Sequence, residues 1–113
     1  MPKLIRSCCE NGSVLEEILA ELPSEEEVGE SAMFFQALSD PTRLKIVLAL
    51  TQYEMCVGEI ANMLGLSPSN TSHQLKILRL AKIVTYTKEG QMYFYRLRHP
   101  FVEGLVSDVF KAI

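Results

Sequence analysis

The chain has 113 residues, 48% of them apolar and 22% charged, an ordinary globular balance that supports one domain with a modest core. Its longest unbroken apolar run, Ile46 to Leu50, is far too short to cross a bilayer, and the N-terminus lacks the apolar core of a signal peptide, so a soluble cytoplasmic protein without membrane association is expected. The formal net charge of −3 argues against a nucleic-acid partner only until its distribution is seen: residues 1–39 hold eight acidic and two basic groups, whereas residues 68–98 hold Lys76, Arg79, Lys82, Lys88, Arg96 and Arg98 against Glu89 alone.

Residues 1–12 form a polar arm without periodicity, expected to be flexible, that carries the vicinal pair Cys8 and Cys9; a single domain over 13–113 follows. Ser13 is positioned to cap a first amphipathic helix with an apolar stripe of Val14, Leu15, Ile18, Leu19 and Leu22, ending before Pro23. Ser24 and Glu27 make a capping box for a second helix, and Glu25, Glu26 and Glu27 suit the positive end of its dipole. Phe34, Phe35 and Leu38 are expected to anchor that helix in the core. Asp40-Pro41 opens a third helix, ending near Thr51 or Gln52, whose Leu44, Val47 and Leu48 face inward.

From Cys56 to Ile83 the sequence predicts two short helices joined by a tight turn. Val57, Ile60, Ala61 and Leu64 recur at helical spacing on the first, and Gly65 stands where a left-handed residue closes it. Ser67 then caps a second helix over 68–81 with Pro68 at its first position. Leu75, Leu78 and Ile77 point inward. Ser69, Asn70, Thr71, His73, Gln74 and Lys76 are left for the outer and leading faces, where short uncharged hydrogen-bonding side chains suit base edges and a lysine suits phosphate. The stretch reads as a helix-turn-helix with its second helix in the major groove.

The period then changes to that of strands. Residues 84–88 and 91–97 are rich in β-branched and aromatic side chains, with Glu89-Gly90 as turn chemistry and Lys88 and Gln91 at the tip. A helix-turn-helix followed by a basic hairpin is a winged helix, so the fold class is mainly α with a β-hairpin (α+β). His99-Pro100 opens a last helix with a broad stripe of Phe101, Val102, Leu105, Val106, Val109 and Phe110. That stripe packs either inside the chain or against a second copy, and a homodimer through residues 14–22 and 100–112 is expected because one recognition helix supplies little contact. No nucleotide loop, catalytic triad or Cys-x-x-Cys motif is present, so the chain is not read as an enzyme.

Four stretches carry a resemblance to the ArsR/SmtB family of metal-responsive repressors: Phe35-Gln-Ala-Leu-Ser-Asp-Pro-Thr-Arg-Leu-Lys-Ile46, Glu54-Met-Cys-Val-Gly-Glu-Ile60, Leu66-Ser-Pro-Ser-Asn-Thr-Ser-His-Gln-Leu75 and Lys88-Glu-Gly90. The resemblance implies a winged-helix homodimer that occupies double-stranded operator DNA and leaves it when an inducer binds. Cys56 falls on the first cysteine of the family's Cys-Val-Cys sequence, but Gly58 stands at the second. That departure removes one thiolate from the family's four-sulfur cadmium and lead site. Cys8, Cys9 and Cys56 remain as a three-sulfur set, which suits arsenite or antimonite, As(III) or Sb(III), better than Pb(II) or Cd(II), and no organic cofactor is implied. The chain resembles the arsenic-sensing members that pair an N-terminal Cys-Cys with one cysteine in this helix. The arm can meet Cys56 of the same chain or of the other.

The family's second metal site, on the last helix, lacks its ligands here, since His99 alone stands near one end. Two other readings stay open. A lone apolar-flanked cysteine such as Cys56 is more often core packing, and a thiol redox or persulfide sensor would use a disulfide between Cys56 and one arm cysteine.

Overall fold

Capping side chains set most of the helix boundaries in the computed structural model, which describes residues 12–113. The arm cysteines Cys8 and Cys9 lie outside the described residues. Helix α1 (Gly12–Glu21) buries none of its side chains. Ser13 sits inside it rather than at its cap, because the helix reaches back to Gly12. Helix α2 (Glu25–Leu38) begins at the expected capping box: the Glu27 N–H donates to Ser24 Oγ and the Ser24 N–H to Glu27 Oε1, each at 3.1 Å. Helix α3 (Pro41–Leu50) starts at Asp40, whose Oδ2 accepts from the Arg43 N–H at 3.0 Å.

The inward face of α2 differs from the expected one. Ala37 is buried, with Phe34 and Leu38 packed against the core, whereas Phe35 is 59% exposed. A helix turns 100° per residue, so a face that buries positions 34, 37 and 38 carries position 35 away from it. Phe34 stacks on Phe101 of the last helix at 5.7 Å and meets Phe35 edge-on at 5.3 Å.

A two-residue strand β1 (Met55–Cys56), which the sequence reading missed, leads directly into α4 (Val57–Leu64). Gly65 then takes the left-handed conformation at φ 66° and closes α4, as its sequence predicts. Helix α5 (Pro68–Leu80) is capped by Ser67, whose Oγ accepts from the Asn70 N–H at 3.1 Å. It ends through Lys82, a non-glycine residue at φ 63°, with the Ile83 N–H donating to the Leu78 carbonyl at 3.0 Å.

Strands β2 (Val84–Glu89) and β3 (Met92–Leu97) pair antiparallel from Val84 opposite Leu97 to Glu89 opposite Met92. The turn is therefore Gly90-Gln91, one residue later than expected, with Gly90 at φ 62°. Strand β1 joins the free edge of β3, giving the order β1-β3-β2. Helix α6 (Pro100–Ala112) follows, and the His99 Nδ1 that caps it accepts from the Phe101 N–H at 3.2 Å. The core runs through Ile46, Val47, Ile60, Leu75, Leu78 and Val102, all fully buried. No described helix is long and apolar enough to cross a membrane. The architecture is a winged helix-turn-helix.

Candidate nucleic-acid interface and thiol site

The recognition helix is seated by its own apolar residues. Leu75 and Leu78 are fully buried against Ile60 and the α3 residues Ile46 and Val47, which leaves the opposite face of α5 outward. Ser69, Asn70, His73 and Lys76 are exposed there, and Gln74 is half-buried. Thr71 is a correction: it is fully buried, and its Oγ1 donates to the Ser67 carbonyl at 2.9 Å. Position 71 lies one turn before Leu75 on the inward face, so its hydroxyl is spent on the helix itself and cannot read a base.

Gln74 has partners on both sides. Its Oε1 accepts from Arg43 Nη1 of α3 at 3.0 Å, and its Nε2 donates to Asn70 Oδ1 at 3.2 Å. Arg43 Nε donates in turn to the Ala37 carbonyl at 2.7 Å, in the last turn of α2. One guanidinium thus ties α2, α3 and α5 together.

The wing is built on tyrosines. Tyr86, Tyr93 and Tyr95 pack as neighbours, with ring centres 5.1 and 5.4 Å from Tyr86. Arg79 of α5 lies over the Tyr86 ring at 5.5 Å, and Lys88 lies over Tyr93 at the same distance. Burial pushes the Tyr95 phenol up, with Arg79 opposing, so it stays protonated. Arg96 Nη1 donates to Thr87 Oγ1 at 2.9 Å. Lys88 and Gln91 are exposed near the hairpin tip.

Cys56 sits where the two halves of this surface meet. It pairs with Phe94 of β3 and occupies the N-cap of α4, and its N–H donates to Glu59 Oε1 at 3.0 Å. That bond, followed by one from the Cys56 side chain, holds the exposed Glu59 carboxyl below its usual range. The residue is 8% exposed and its thiol is free. On one flank stands exposed Gly58, where an added Cβ would lie 4.0 Å from Cys56 Sγ. Among the described residues no group of three or more His, Cys, Asp or Glu side chains is arranged to hold a metal ion.

Residues 40–86 match the family model for bacterial regulatory proteins of the arsR family. Over 93 residues the chain is 37% identical to a transcriptional repressor SmtB homolog of Synechocystis, covering 82% of this chain and 70% of that one. This chain belongs to the ArsR/SmtB family. It is also 40% identical over 80 residues to a CadC homolog of Staphylococcus aureus, a cadmium resistance transcriptional regulatory protein, covering 70% of this chain and 66% of the relative. Among solved structures, the homodimeric winged helix-turn-helix DNA-binding domain Mb0332 from Mycobacterium bovis matches with a TM-score of 0.74 at 26% identity, over 81% of this chain and 88% of that one.

As an ArsR/SmtB protein the chain is a DNA-binding transcriptional regulator. Arg43 and Tyr86 were not singled out from the sequence, and Arg79 only as one of the cations of residues 68–98. A cue existed for Arg43: a cation three residues after the cap of α3 opposes the helix dipole, so it needs acceptors elsewhere. Arg79 and Tyr86 meet only through the fold, and no local pattern marks them.

Proposed function

We propose that this ArsR/SmtB regulator is a homodimeric repressor that releases its operator when a thiophilic ion binds Cys8, Cys9 and Cys56. Ser69, Asn70, His73 and Lys76 face the major groove, Gln74 supports them, and Lys88 and Gln91 of the wing reach the flanking backbone. The ions that suit three sulfurs best are As(III) and Sb(III), ahead of Pb(II) and Cd(II). A repressor and a cadmium resistance regulator among its relatives support metal-controlled repression.

The observation that carries this reading is the position of Cys56. Its backbone is paired in register with the wing strand on one side and begins the helix-turn-helix on the other, so a displacement of the sulfur is passed to both reading elements. The near-complete burial of Cys56 requires the sulfur to move when it takes up an ion. Strand β1 has two residues at the sheet edge, and such short edges open at low cost. Emptying an operator almost completely requires the ion to favour the released form by about 5.5 kcal/mol. Metal–thiolate bonds supply energies of that order.

Fluorescence anisotropy on duplex DNA from upstream of the chain's own gene tests the reading, with arsenite, cadmium, lead and zinc titrated in turn. Arsenite is expected to release the reduced protein, and Cys8→Ser, Cys9→Ser or Cys56→Ser to keep binding and lose release. Release by peroxide or persulfide but not by arsenite, with a Cys56 disulfide in the mass spectrum, would overturn it in favour of a thiol redox sensor.

A further inference from the structure

We infer that Arg43 of α3 fixes which way the Asn70 amide faces and thereby sets the base preference of the recognition helix. The inference rests on α5 reading DNA, as proposed above. A guanidinium has donors and no acceptor, so the Gln74 atom that meets Arg43 Nη1 at 3.0 Å is the amide oxygen. Gln74 therefore turns its NH2 toward Asn70 and donates to it at 3.2 Å. The Asn70 atom that receives this bond is in turn its oxygen, and the Asn70 NH2 is left facing away from Gln74. Each amide orientation follows from the one before, starting at the arginine.

Arg43 is itself held. Its Nε donates to the Ala37 carbonyl at 2.7 Å, one of the carbonyls at the end of α2 that lack a partner within the helix. Its own N–H is capped by Asp40. The fork is thus aimed by two other helices before it meets α5, and a free asparagine's ability to turn its amide over is removed at the exposed end of the chain of bonds.

The chemical consequence is a donor where an unrestrained asparagine would offer either edge. With one oxygen lone pair engaged by Gln74, Asn70 presents N–H groups to the groove, which suit guanine O6 or N7, thymine O4 or adenine N7 and oppose the amino group of cytosine. Asn70 is then a specificity-determining residue that disfavours cytosine, and Arg43 and Gln74 are positioning residues behind it.

The test is selection of duplexes from a random pool by the full-length, reduced protein, followed by anisotropy on the selected site and its single-base variants at fixed salt. Asn70→Ala marks the base position that Asn70 reads. The wild type is expected to disfavour cytosine there by about five- to tenfold, the lower part of the range for a single side-chain contact. Arg43→Gln and Gln74→Leu should each reduce that preference to about twofold while leaving the other positions and the salt dependence unchanged. The double variant should be no worse than either single one, because both cut the same bond. Full discrimination in Gln74→Leu, or a loss spread evenly over all positions, would overturn the inference while leaving DNA reading intact. Gln74→Leu decides the matter alone if Arg43→Gln fails to fold. A wild type that enriches no duplex would overturn the reading of α5 and this inference with it.

Discussion

Cys56 lies opposite Phe94 in the ladder between β1 and β3, and it is also the residue from which α4 starts. The wing and the helix-turn-helix are therefore joined through one backbone position as well as through the core. In the proposed mechanism an ion pulling on this sulfur acts between the two elements assigned to DNA reading. The same placement explains why the side chain is covered: a residue between a sheet edge and a helix start has neighbours on both sides.

Gly58 offers a direct way to change the sensor. A Cβ there meets only Cys56 Sγ, at 4.0 Å, and its backbone is ordinary helix, so Gly58→Cys should fold normally. The new thiol lies beside the old one and supplies the fourth sulfur that a tetrahedral ion wants. Cadmium and lead affinity should rise at least about tenfold relative to arsenite, read by thiolate-to-metal absorption in competition titrations. An unchanged ion ranking would place Cys56 outside the binding site.

The two capping boxes predict an acid limb in stability. The Glu27 and Glu59 carboxyls are both held below the ordinary value of 4.5, in each case first by the backbone N–H they accept from, at Ser24 and Cys56. A group whose pKa is lowered on folding contributes stability above its unfolded pKa and loses it as pH falls through the folded one. Thermal midpoints should therefore be flat from neutral pH to about pH 5 and fall below the carboxylate range. Glu27→Gln with Glu59→Gln should lower the neutral plateau and shallow the acid fall, and an identical pH profile in the double variant would count against this account.

Much of this architecture was legible before any coordinates, and the reasons are local. Ser24 with Glu27, Asp40 with Pro41, and Ser67 with Pro68 each specify a helix start through side chains within three residues, and each cap forms as expected. Gly65 and Gly90 both mark left-handed positions. What failed was non-local or finely phased. Strand β1 has two residues and no period of its own, and it exists because β3 offers it an edge. Thr71 and Phe35 were placed one helical step off, the first outward and the second inward, because polarity and size suggested faces that the neighbouring helices overruled. The outer face of α5 was legible as a set of residue types, whereas the Arg43–Gln74 bond spans 31 positions, and the cue at Arg43 does not name its partner.

Lys82 gives a test of backbone strain. It is the described non-glycine residue with a left-handed φ, 63°, directly after α5, a position where glycine is the usual choice. A side chain there costs roughly 1–2 kcal/mol, partly returned because lysine restricts the unfolded chain more than glycine does. Lys82→Gly should raise the unfolding free energy by about 0.5–1 kcal/mol in urea melts at unchanged slope. A decrease would mean that the lysine makes a stabilising contact that outweighs the strain.

The apolar surface left uncovered by one chain predicts where a second chain sits. Leu15, Ile18 and Leu19 of α1, with Leu22 just beyond it, are 45–69% exposed, and α1 buries none of its residues in its own chain. A groove of about 220 Å3 between α2, α3 and α6 is lined by Phe35, Leu38, Leu44, Leu105, Val109 and Phe110. Phe35, Val109 and Phe110 are themselves about half exposed, so stripe and groove are two apolar surfaces without a partner among the described residues. Pairing α1 and α6 with those of a second copy, as the sequence leads one to expect, would cover both and bring two recognition helices to one duplex. Leu19→Glu leaves the monomer core untouched, because the residue is 69% exposed there, yet places a carboxylate in the dimer seam. It should weaken dimerisation at least about tenfold, from lost leucine burial alone, and operator binding with it. Sedimentation equilibrium reads the first effect and anisotropy the second. A variant that stays dimeric at wild-type strength would move the interface away from α1, whereas a monomer that melts like the wild type diluted below its dimerisation constant would place Leu19 in the interface and nowhere else.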